Sequence, residues 1–372
     1  MPQVVSDPGF TDADSAFMAR ALALAERGLY TTTPNPRVGC VIVADGTVIG
    51  EGWHERAGAP HAEANALADV AARGRSPRGA TMYVTLEPCN HTGRTPPCTD
   101  TVIAAGIGRV VAALADPNAR AAHGAERLRA AGIPVAIGLR GDEAREQNIG
   151  FVTRMTRGRP WVRMKAAASL DGRTALASGE SKWITSEAAR ADGHRWRARA
   201  CAILTGHGTV HHDDPQLTVR AIATSRQPLR IVVDRHAETA PGARVLADDN
   251  VLMVTAGGRN PAWRPHVAHL ALPDANGRID LGALMDALGE REVNELHVEA
   301  GARLNGALLA EGLVDELLLY VAPSIIGDPA LGVAEFRSGL ASLADRVEVT
   351  LREVAHLGAD LRILARVTKR PR

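Results

Sequence analysis

The sequence from residue 81 to residue 98 reads TMYVTLEPCNHTGRTPPC and contains two cysteines separated by eight residues. The run TMYVTLE is typical of a buried strand, and Pro88 ends it. Cys89 therefore follows a strand, whereas Cys98 follows two prolines at the start of a predicted helix. The partial positive charge at a helix start favours a thiolate. Such a pair forms a disulfide loop or a metal site, unless it is an accident of composition.

The cellular compartment limits these options. The first residues, MPQVVSDPGF, contain neither a basic region nor an apolar run, so we expect no secretory signal. We also expect no transmembrane helix, and therefore a cytoplasmic protein with reduced thiols. Cys40 and Cys201 lie in apolar strands, where a small buried core residue is expected. Cys89 and Cys98 are then better explained as metal ligands than as a disulfide.

Length and charge restrict the function further. The 372 residues suggest two domains, since a domain averages roughly 150 residues. The chain has 43 Lys and Arg against 42 Asp and Glu, a formal net charge of +1. This balance predicts neither a nucleic-acid surface nor a membrane surface. The expected partner is a small molecule, and we expect the chain to form a homo-oligomer.

Strands and helices alternate along the whole chain, which predicts an α/β fold. In the first part, a capped helix starts at Thr11 and a hairpin turns at Asp45-Gly46. Residues 141–160 then contain a predicted helix followed by a basic stretch that ends in Gly and Pro, which suggests a boundary. We therefore predict a first domain over residues 1–147, a linker over residues 148–160 and a second domain over residues 161–372.

His61-Ala62-Glu63 gives the cysteine pair a chemical context. Pro60 precedes it and an alanine-rich helix follows, so His61 and Glu63 belong to a first helical turn. Two sulfurs and one imidazole suit zinc and leave a fourth position for water, on which Glu63 could act. An H-x-E followed by P-C and a further cysteine is the pattern of zinc nucleobase deaminases. A structural zinc site and a surface loop without metal are the alternatives.

Longer segments carry a specific resemblance. PNPRVGCVIV, HAEANAL, YVTLEPCNHTGRTPPC, SLDGRTALASGESKWITS, DDPQLTVR, VEAG and LVDELLLYVAP follow one another in this order between residues 12 and 366. Together they resemble the bifunctional deaminase/reductase family of riboflavin biosynthesis. The resemblance implies an N-terminal three-layer domain similar to cytidine deaminase and a C-terminal domain similar to dihydrofolate reductase. The eight residues between Cys89 and Cys98 replace the C-x-x-C of cytidine-type deaminases.

The resemblance also implies two reactions. The first is zinc-dependent hydrolytic deamination of 2,5-diamino-6-(ribosylamino)-4(3H)-pyrimidinone 5'-phosphate. The second is NADPH-dependent reduction of the ribosyl group to ribityl, which gives 5-amino-6-(5-phosphoribitylamino)uracil.

Site residues can be carried over at matching positions. In the deaminase domain the zinc ligands would be His61, Cys89 and Cys98, with Glu63 as the catalytic proton shuttle. The pyrimidine and ribose-phosphate pocket would be lined by Asn35, His54, His91 and Arg94. Position 94 is lysine in some members, and a phosphate contact should tolerate arginine. In the reductase domain the cofactor would contact Ala167, Trp183, Thr209, Asp213, Gly301, Ala302, Arg303, Leu304, Asn305, Gly306 and Ala307. The substrate there would contact Lys165, Ser181, Arg197, Leu217, Arg220 and Glu299.

Without the resemblance, the residues of the second domain give only weak evidence for its function. No G-x-G-x-x-G follows a predicted strand, and VEAGARLNG is only a weak phosphate-binding pattern before a helix. Two alternatives therefore stay open. One is a zinc-stabilised nucleotide-binding protein without catalysis. The other is a deaminase of a different nucleobase substrate, such as a free base or tRNA.

Overall fold

The chain forms two compact units. The computed structural model describes residues 9–92, 96–327 and 329–369. The units meet in sequence between Arg157 and Gly158. In the part of the chain that is described, no helix is both long and apolar enough to cross a membrane.

The first unit is a mixed five-stranded sheet with helices on both faces. Its strand order is β2-β1-β3-β4-β5, in which β1 pairs antiparallel with β2 and β3 and the remaining pairs are parallel. Its elements are α1 (Asp12–Ala25), β1 (Gly39–Ala44), β2 (Thr47–Trp53), α2 (Ala62–Ala72), β3 (Thr81–Val84), α3 (Cys98–Ala105), β4 (Arg109–Ala112), α4 (Gly124–Ala130), β5 (Val135–Ile137), α5 (Gly141–Gln147) and α6 (Ile149–Arg157).

Alternation along the strands explains the three layers. Successive side chains of a strand point to opposite faces, so Cys40 and Ile42 of β1 share one apolar core with α2 and α3. Val41 and Val43 point the other way and pack against α1. The hairpin turns at Asp45 and Gly46, whose φ angles are 50° and 71°, as a tight turn requires. The three-layer fold predicted from the sequence is confirmed.

The predicted linker differs from the structure. Most of residues 148–160 is helix α6, which belongs to the first unit. Phe151 is buried in the core of that unit and Met155, one turn later, packs against the same core. Asn148, just before the helix, accepts a hydrogen bond from the Arg37 backbone N–H at 2.8 Å and donates one to the Arg37 carbonyl at 2.9 Å. Burial of Phe151 and Met155, four residues apart on one face, therefore stabilises a helix here despite the basic residues around them.

The second unit is built on a nine-stranded sheet. The strand order is β11-β10-β9-β8-β12-β6-β13-β16-β15, and β14 pairs with β7 in a small separate sheet. Its elements are β6 (Trp161–Ser169), β7 (Arg173–Leu176), α7 (Glu187–Arg199), β8 (Ala202–Gly206), α8 (His207–Asp213), β9 (Leu229–Val233), β10 (Val251–Thr255), β11 (Ala268–Ala271), α9 (Leu281–Glu290), β12 (Glu295–Val298), α10 (Ala302–Ala310), β13 (Glu316–Ala322), β14 (Ala330–Gly332), β15 (Glu348–Leu357) and β16 (Asp360–Lys369).

The central strands of this sheet have one apolar face and one charged face. Strands β8, β12, β6 and β13 are parallel, whereas β16 and β15 form an antiparallel hairpin at one edge. Val162 and Met164 of β6 lie in the apolar core with α9 and α10. Arg163 and Lys165 alternate with them and point to the opposite face. Functional groups therefore collect on that face and at the carboxyl ends of the parallel strands.

Candidate active sites

The three predicted zinc ligands meet in the first unit. His61 is the N-cap residue of α2, Cys98 is the first residue of α3, and Cys89 follows β3. The His61 Nδ1 atom lies 3.2 Å from the Cys98 sulfur and 3.6 Å from the Cys89 sulfur. One ligand atom from each residue lies within 4.8 Å of the other two. Two helix starts and the segment after β3 thus bring one imidazole and two sulfurs close together.

The thiol chemistry of this cluster fits a zinc ion. The hydrogen bond from Cys98 lowers the pKa of Cys89 to about 4, burial opposes this shift, and His61 adds to it. The shared hydrogen bond and burial raise the pKa of Cys98. The two sulfurs therefore share one proton, which a bound cation would replace. A set of two thiolates and one imidazole is a common donor set for zinc.

Glu63 lies beside the cluster on the first turn of α2. Its side chain is buried, with 3% of the residue exposed. Burial raises the pKa of Glu63 to about 7, although the nearby His61 opposes the shift. A carboxyl group in this position can both accept and release a proton near neutral pH.

Asn35 and His54 extend the cluster on one side. His54 is 2% exposed, and burial lowers its pKa. Its Nδ1 lies 3.1 Å from the Pro60 carbonyl oxygen, so Nδ1 donates a hydrogen bond there. Its Nε2 then accepts from the Asn35 amide at 3.0 Å. The His54 ring meets the His61 ring edge-on, with 5.2 Å between the centroids.

The loop between the cysteines is held at its start. The Asn90 backbone N–H donates to the Ala121 carbonyl at 2.9 Å, and the Asn90 side-chain oxygen accepts from the Thr99 hydroxyl at 3.2 Å. The Nδ1 atom of His91 is buried, with no partner among the described residues. Arg94, the predicted phosphate contact, lies outside the described residues.

Asp116 is a further acidic group near the cluster that the sequence analysis missed. Burial raises its pKa to about 6, and charge interactions with Cys89 and His61 place it within range of the metal cluster. Its backbone N–H donates to Glu87 at 3.0 Å. The signal that could have found it is topological. Asp116 follows β4, which is parallel to β3, and the carboxyl ends of parallel neighbours meet at one edge.

In the second unit, Arg197 and Glu299 form the centre of a charged group. Arg197 Nε and Nη2 donate to the two Glu299 oxygens at 2.5 and 2.8 Å. Burial would raise the pKa of Glu299, but Arg197 and His297 outweigh it and hold this pKa well below its usual range. Burial lowers the pKa of Lys165, whose charge interacts with both Glu299 and Arg197. Glu299 therefore offers a carboxylate, and Lys165 can release a proton more readily than an exposed lysine.

Arg220 and Leu217 join the same group. Arg197 donates to the Thr218 carbonyl at 3.3 Å, and Arg220 donates to the Thr218 hydroxyl at 3.0 Å. Burial and the charge of Arg197 lower the pKa of Arg220. Leu217 is buried beside them with a φ of 53°. Two guanidinium groups that repel one another form a good site for an anion such as phosphate.

The predicted cofactor segment begins at the carboxyl end of β12. Gly301 is the N-cap residue of α10, with no side-chain hydrogen bond to the helix start. A Cβ atom on Gly301 would lie 3.9 Å from the Thr209 hydroxyl oxygen of α8. The starts of these two helices are therefore adjacent, because β8 and β12 are parallel neighbours. Helix starts of this kind bind anionic groups.

The rest of the segment is divided between two sides of α10. Asn305 is buried and donates to the carbonyls of Ala300 and Val333 at 3.1 and 2.9 Å. A Cβ atom on Gly306 would lie 1.9 Å from the Glu335 carbonyl oxygen. These two residues therefore hold α10 against a neighbouring loop, whereas Arg303 is exposed. Ala302, Leu304 and Ala307 are half-buried.

The remaining predicted residues lie on β6 and around α8. Lys182 Nζ donates to the Asp213 carbonyl at 3.3 Å, which ties the loop containing Ser181 and Trp183 to the end of α8. Trp183 is 71% exposed, with the Arg190 guanidinium 4.5 Å from its ring centroid. Ala167 lies two residues after Lys165 on the same face of β6.

Family models match both units. Residues 11–114 match the cytidine and deoxycytidylate deaminase zinc-binding region, and residues 160–363 match the RibD C-terminal domain. The second match alone spans more than half of the chain. The first unit is thus a zinc-binding deaminase domain, and the second is a reductase domain of the RibD type.

Curated relatives and solved structures extend over nearly the whole chain. The riboflavin biosynthesis protein RibD of Escherichia coli (strain K12) is 48% identical over 362 residues, covering 94% of this chain and 98% of the relative. The structure of Acinetobacter baumannii RibD, form 1, is 42% identical, with a TM-score of 0.88, and the match covers 96% of this chain and 99% of that one. A Thermotoga maritima structure, a diaminohydroxyphosphoribosylaminopyrimidine deaminase/5-amino-6-(5-phosphoribosylamino)uracil reductase, is 35% identical, with a TM-score of 0.87 and the same coverage.

These findings confirm the predicted family, and they do not favour a binding protein without catalysis. The chain belongs to the RibD family, and it is a bifunctional deaminase and reductase of riboflavin biosynthesis.

Proposed function

We propose that the first unit deaminates 2,5-diamino-6-(ribosylamino)-4(3H)-pyrimidinone 5'-phosphate and that the second reduces the product with NADPH. The observation that carries this proposal is the convergence of His61, Cys89 and Cys98 beside the buried Glu63. The activities named for the Thermotoga maritima structure support the choice of substrate.

In the deaminase site, His61, Cys89 and Cys98 would hold the zinc ion. Zinc, when bound, supplies a Lewis acid that lowers the pKa of a water molecule to about 7. The Glu63 carboxylate would take a proton from the attacking water and deliver it to the departing 2-amino nitrogen. A C–O bond forms at the ring carbon, the C–N bond breaks, and ammonia leaves.

The residues around Glu63 would orient the pyrimidine. The Asn35 amide and the neutral His54 ring are held by each other and by the Pro60 carbonyl, so neither has to be ordered when substrate binds. The Nδ1 of His91, which has no partner among the residues that the structure describes, would bind a polar group of the substrate. Arg94 would contact the phosphate.

In the reductase site, Arg197 and Arg220 would bind the substrate phosphate, and Leu217 and Ser181 would line the pocket. The cofactor would contact the start of α10 together with Ala167, Trp183, Thr209 and Asp213. NADPH, when bound, supplies a hydride. Reduction of ribosyl to ribityl also consumes a proton, and Lys165, whose pKa is lowered by burial, would donate it beside Glu299.

Replacing Glu63 with glutamine tests the deaminase assignment. Glu63→Gln keeps the size of the side chain but cannot carry the proton, so we expect ammonia release to fall by about 10²-fold or more. Bound zinc, measured by atomic absorption, should stay at the wild-type level, and reduction of supplied deaminated pyrimidine should be unchanged. Glu126→Gln, an exposed carboxylate on α4, is the control. Wild-type ammonia release by Glu63→Gln contradicts the assignment.

We infer in addition that the chain associates with a second copy of itself through strand β15. We also infer that the protein works in a reducing compartment such as the cytoplasm. β15 is one of the two edge strands of the nine-stranded sheet, and its residues Val349, Leu351 and Val354 are 40%, 60% and 54% exposed. An edge strand that exposes apolar side chains favours pairing with another strand. The compartment is supported by the arrangement of Cys89 and Cys98 as metal ligands rather than as a disulfide.

A further inference from the structure

The reductase half contains a buried histidine that the proposed mechanism does not use. His297 lies on β12, in register with Arg163 of β6 and Ile203 of β8. None of its surface is exposed. Within the described residues, neither ring nitrogen has a partner at full hydrogen-bonding geometry. An imidazole buried without partners is unfavourable, so its presence in the sheet requires an explanation.

The side chain points to the charged face of the sheet. Its Nε2 atom lies 3.4 Å from Glu299 Oε1, the oxygen that also accepts from Arg197 Nε. His297 therefore contacts the Glu299 carboxylate from strand β12, while Arg197 contacts the same carboxylate from helix α7. Catalytic hydrogen bonds are often long or poorly aligned before substrate binds.

We propose that His297 is a positioning residue of the reductase: its Nε2–H holds the Glu299 carboxylate in the orientation that binds the pyrimidine substrate. This inference rests on the proposed reductase function and on the role given to Glu299. His297 is fully buried and contacts the Glu299 carboxylate, so we assign it a role that acts through Glu299 rather than a direct contact with substrate.

The surrounding charges favour a neutral ring. Arg163 and Lys165 face this side of the sheet from β6, Arg197 faces it from α7, and Glu295 and Glu299 face it from the β12 segment. Burial lowers the pKa of His297, and the nearby arginines add to this shift while Glu299 opposes it. A neutral imidazole with its hydrogen on Nε2 can donate to Glu299 without adding a further positive charge to this group.

Substitutions separate a positioning role from simple filling of space. His297→Leu removes the donor, and we expect kcat/KM for reduction to fall about tenfold, mainly through a higher KM for the pyrimidine. The acid limb of the pH profile of kcat/KM should move to higher pH, because the Glu299 carboxylate loses a stabilising donor and the pKa of Glu299 rises. His297→Gln keeps an amide donor and should recover most of the activity. Ile203→Val, a packing change at the paired position on β8, should leave the kinetics at the wild-type level.

Ammonia release by the same chain serves as an internal control and should not change in any of these variants. If His297→Leu does not fold, His297→Phe takes its place, since a phenyl ring keeps the shape without the nitrogens. Wild-type reduction kinetics and pH profile in a folded leucine or phenylalanine variant would overturn this inference alone. Failure of the wild-type chain to oxidise NADPH with the deaminated pyrimidine would instead overturn the proposed function.

Discussion

Asp14 shows how a single carboxylate joins three elements of the deaminase domain. It accepts hydrogen bonds from the Thr11 backbone N–H at 2.9 Å, the Tyr83 hydroxyl at 2.7 Å and Arg109 at 3.0 Å. Burial alone would raise its pKa, but these donors outweigh it and lower the pKa to about 2. The charged form of Asp14 therefore stabilises the contact of α1 with β3 and β4.

This contact predicts a specific loss of stability in acid. The folded pKa is below the value of 3.8 expected in the unfolded chain, so the stabilisation is complete above about pH 4 and is lost as the pH falls towards 2. At pH 7 it is about 2 kcal/mol. We expect Asp14→Asn to lower the free energy of unfolding by about this amount at pH 7 and by much less at pH 2.5.

Urea denaturation at the two pH values measures the effect. Asp12→Asn, an exposed carboxylate in the same helical turn, is the matched control. An equal loss for Asp14→Asn at both pH values would show that the carboxylate charge contributes nothing.

The site residues that the sequence could predict are those with local signals. His61, Cys89 and Cys98 each lie beside a proline or at the end of a predicted element, and the structure brings them together. Asp116 and His297 have no such signal. Their positions depend on which strands become neighbours, and strand pairing is a non-local property that one sequence does not reveal.

At the level of elements, the hairpin of β15 and β16 was not predicted. Nearly all of β15 is exposed on both faces, and its alternation of polar and apolar residues is interrupted by a bulge between Leu351 and Glu353, so the sequence does not mark it as a half-buried strand. The sequence indicates a helix within residues 141–160, but the basic residues of α6 obscure its short apolar stripe, so residues 148–160 were assigned to a linker. Elements with a clear apolar period, such as α2 and β6, were predicted correctly.

Replacing either of two helical glycines of the reductase domain with alanine should change the stability of the protein, but in opposite directions. Gly306 of α10 lies against the backbone of the neighbouring loop, where a Cβ atom would be 1.9 Å from the Glu335 carbonyl oxygen. At Gly193 of α7, apart from its chain neighbours and the nearby backbone of its own helix, no described atom lies within 4 Å of the corresponding position. The close approach of α10 to this loop therefore requires glycine, whereas α7 does not.

We expect Gly306→Ala to destabilise the protein by about 1–3 kcal/mol through overpacking and to weaken NADPH binding by displacing the start of α10. Gly193→Ala should stabilise it by about 1 kcal/mol, the usual preference for alanine in a helix. Thermal unfolding and NADPH fluorescence titration measure the two effects. A Gly306→Ala protein with wild-type stability and NADPH affinity would show that the α10 contact is not constrained in this way.

At the scale of the whole molecule, the proposed association through β15 can be tested by adding charge to the edge. We expect the wild-type chain to sediment as a dimer or larger species and Leu351→Lys to shift it towards the 39.3 kDa monomer. Leu343→Lys, at a position that is 82% exposed outside the edge strand, should leave the mass unchanged. Sedimentation equilibrium decides the matter. A monomeric wild-type chain, or an unchanged mass for Leu351→Lys, contradicts the proposed interface.

We expect the chain to carry two active sites, of which only the first needs zinc. The most direct test follows ammonia and NADPH together when the purified protein is given the diaminopyrimidine phosphate, before and after removal of metal by a chelator. We predict that chelation abolishes ammonia release while NADPH oxidation with supplied deaminated intermediate continues at its original rate. Ammonia release that survives complete removal of zinc, or reduction that stops with it, would contradict this account.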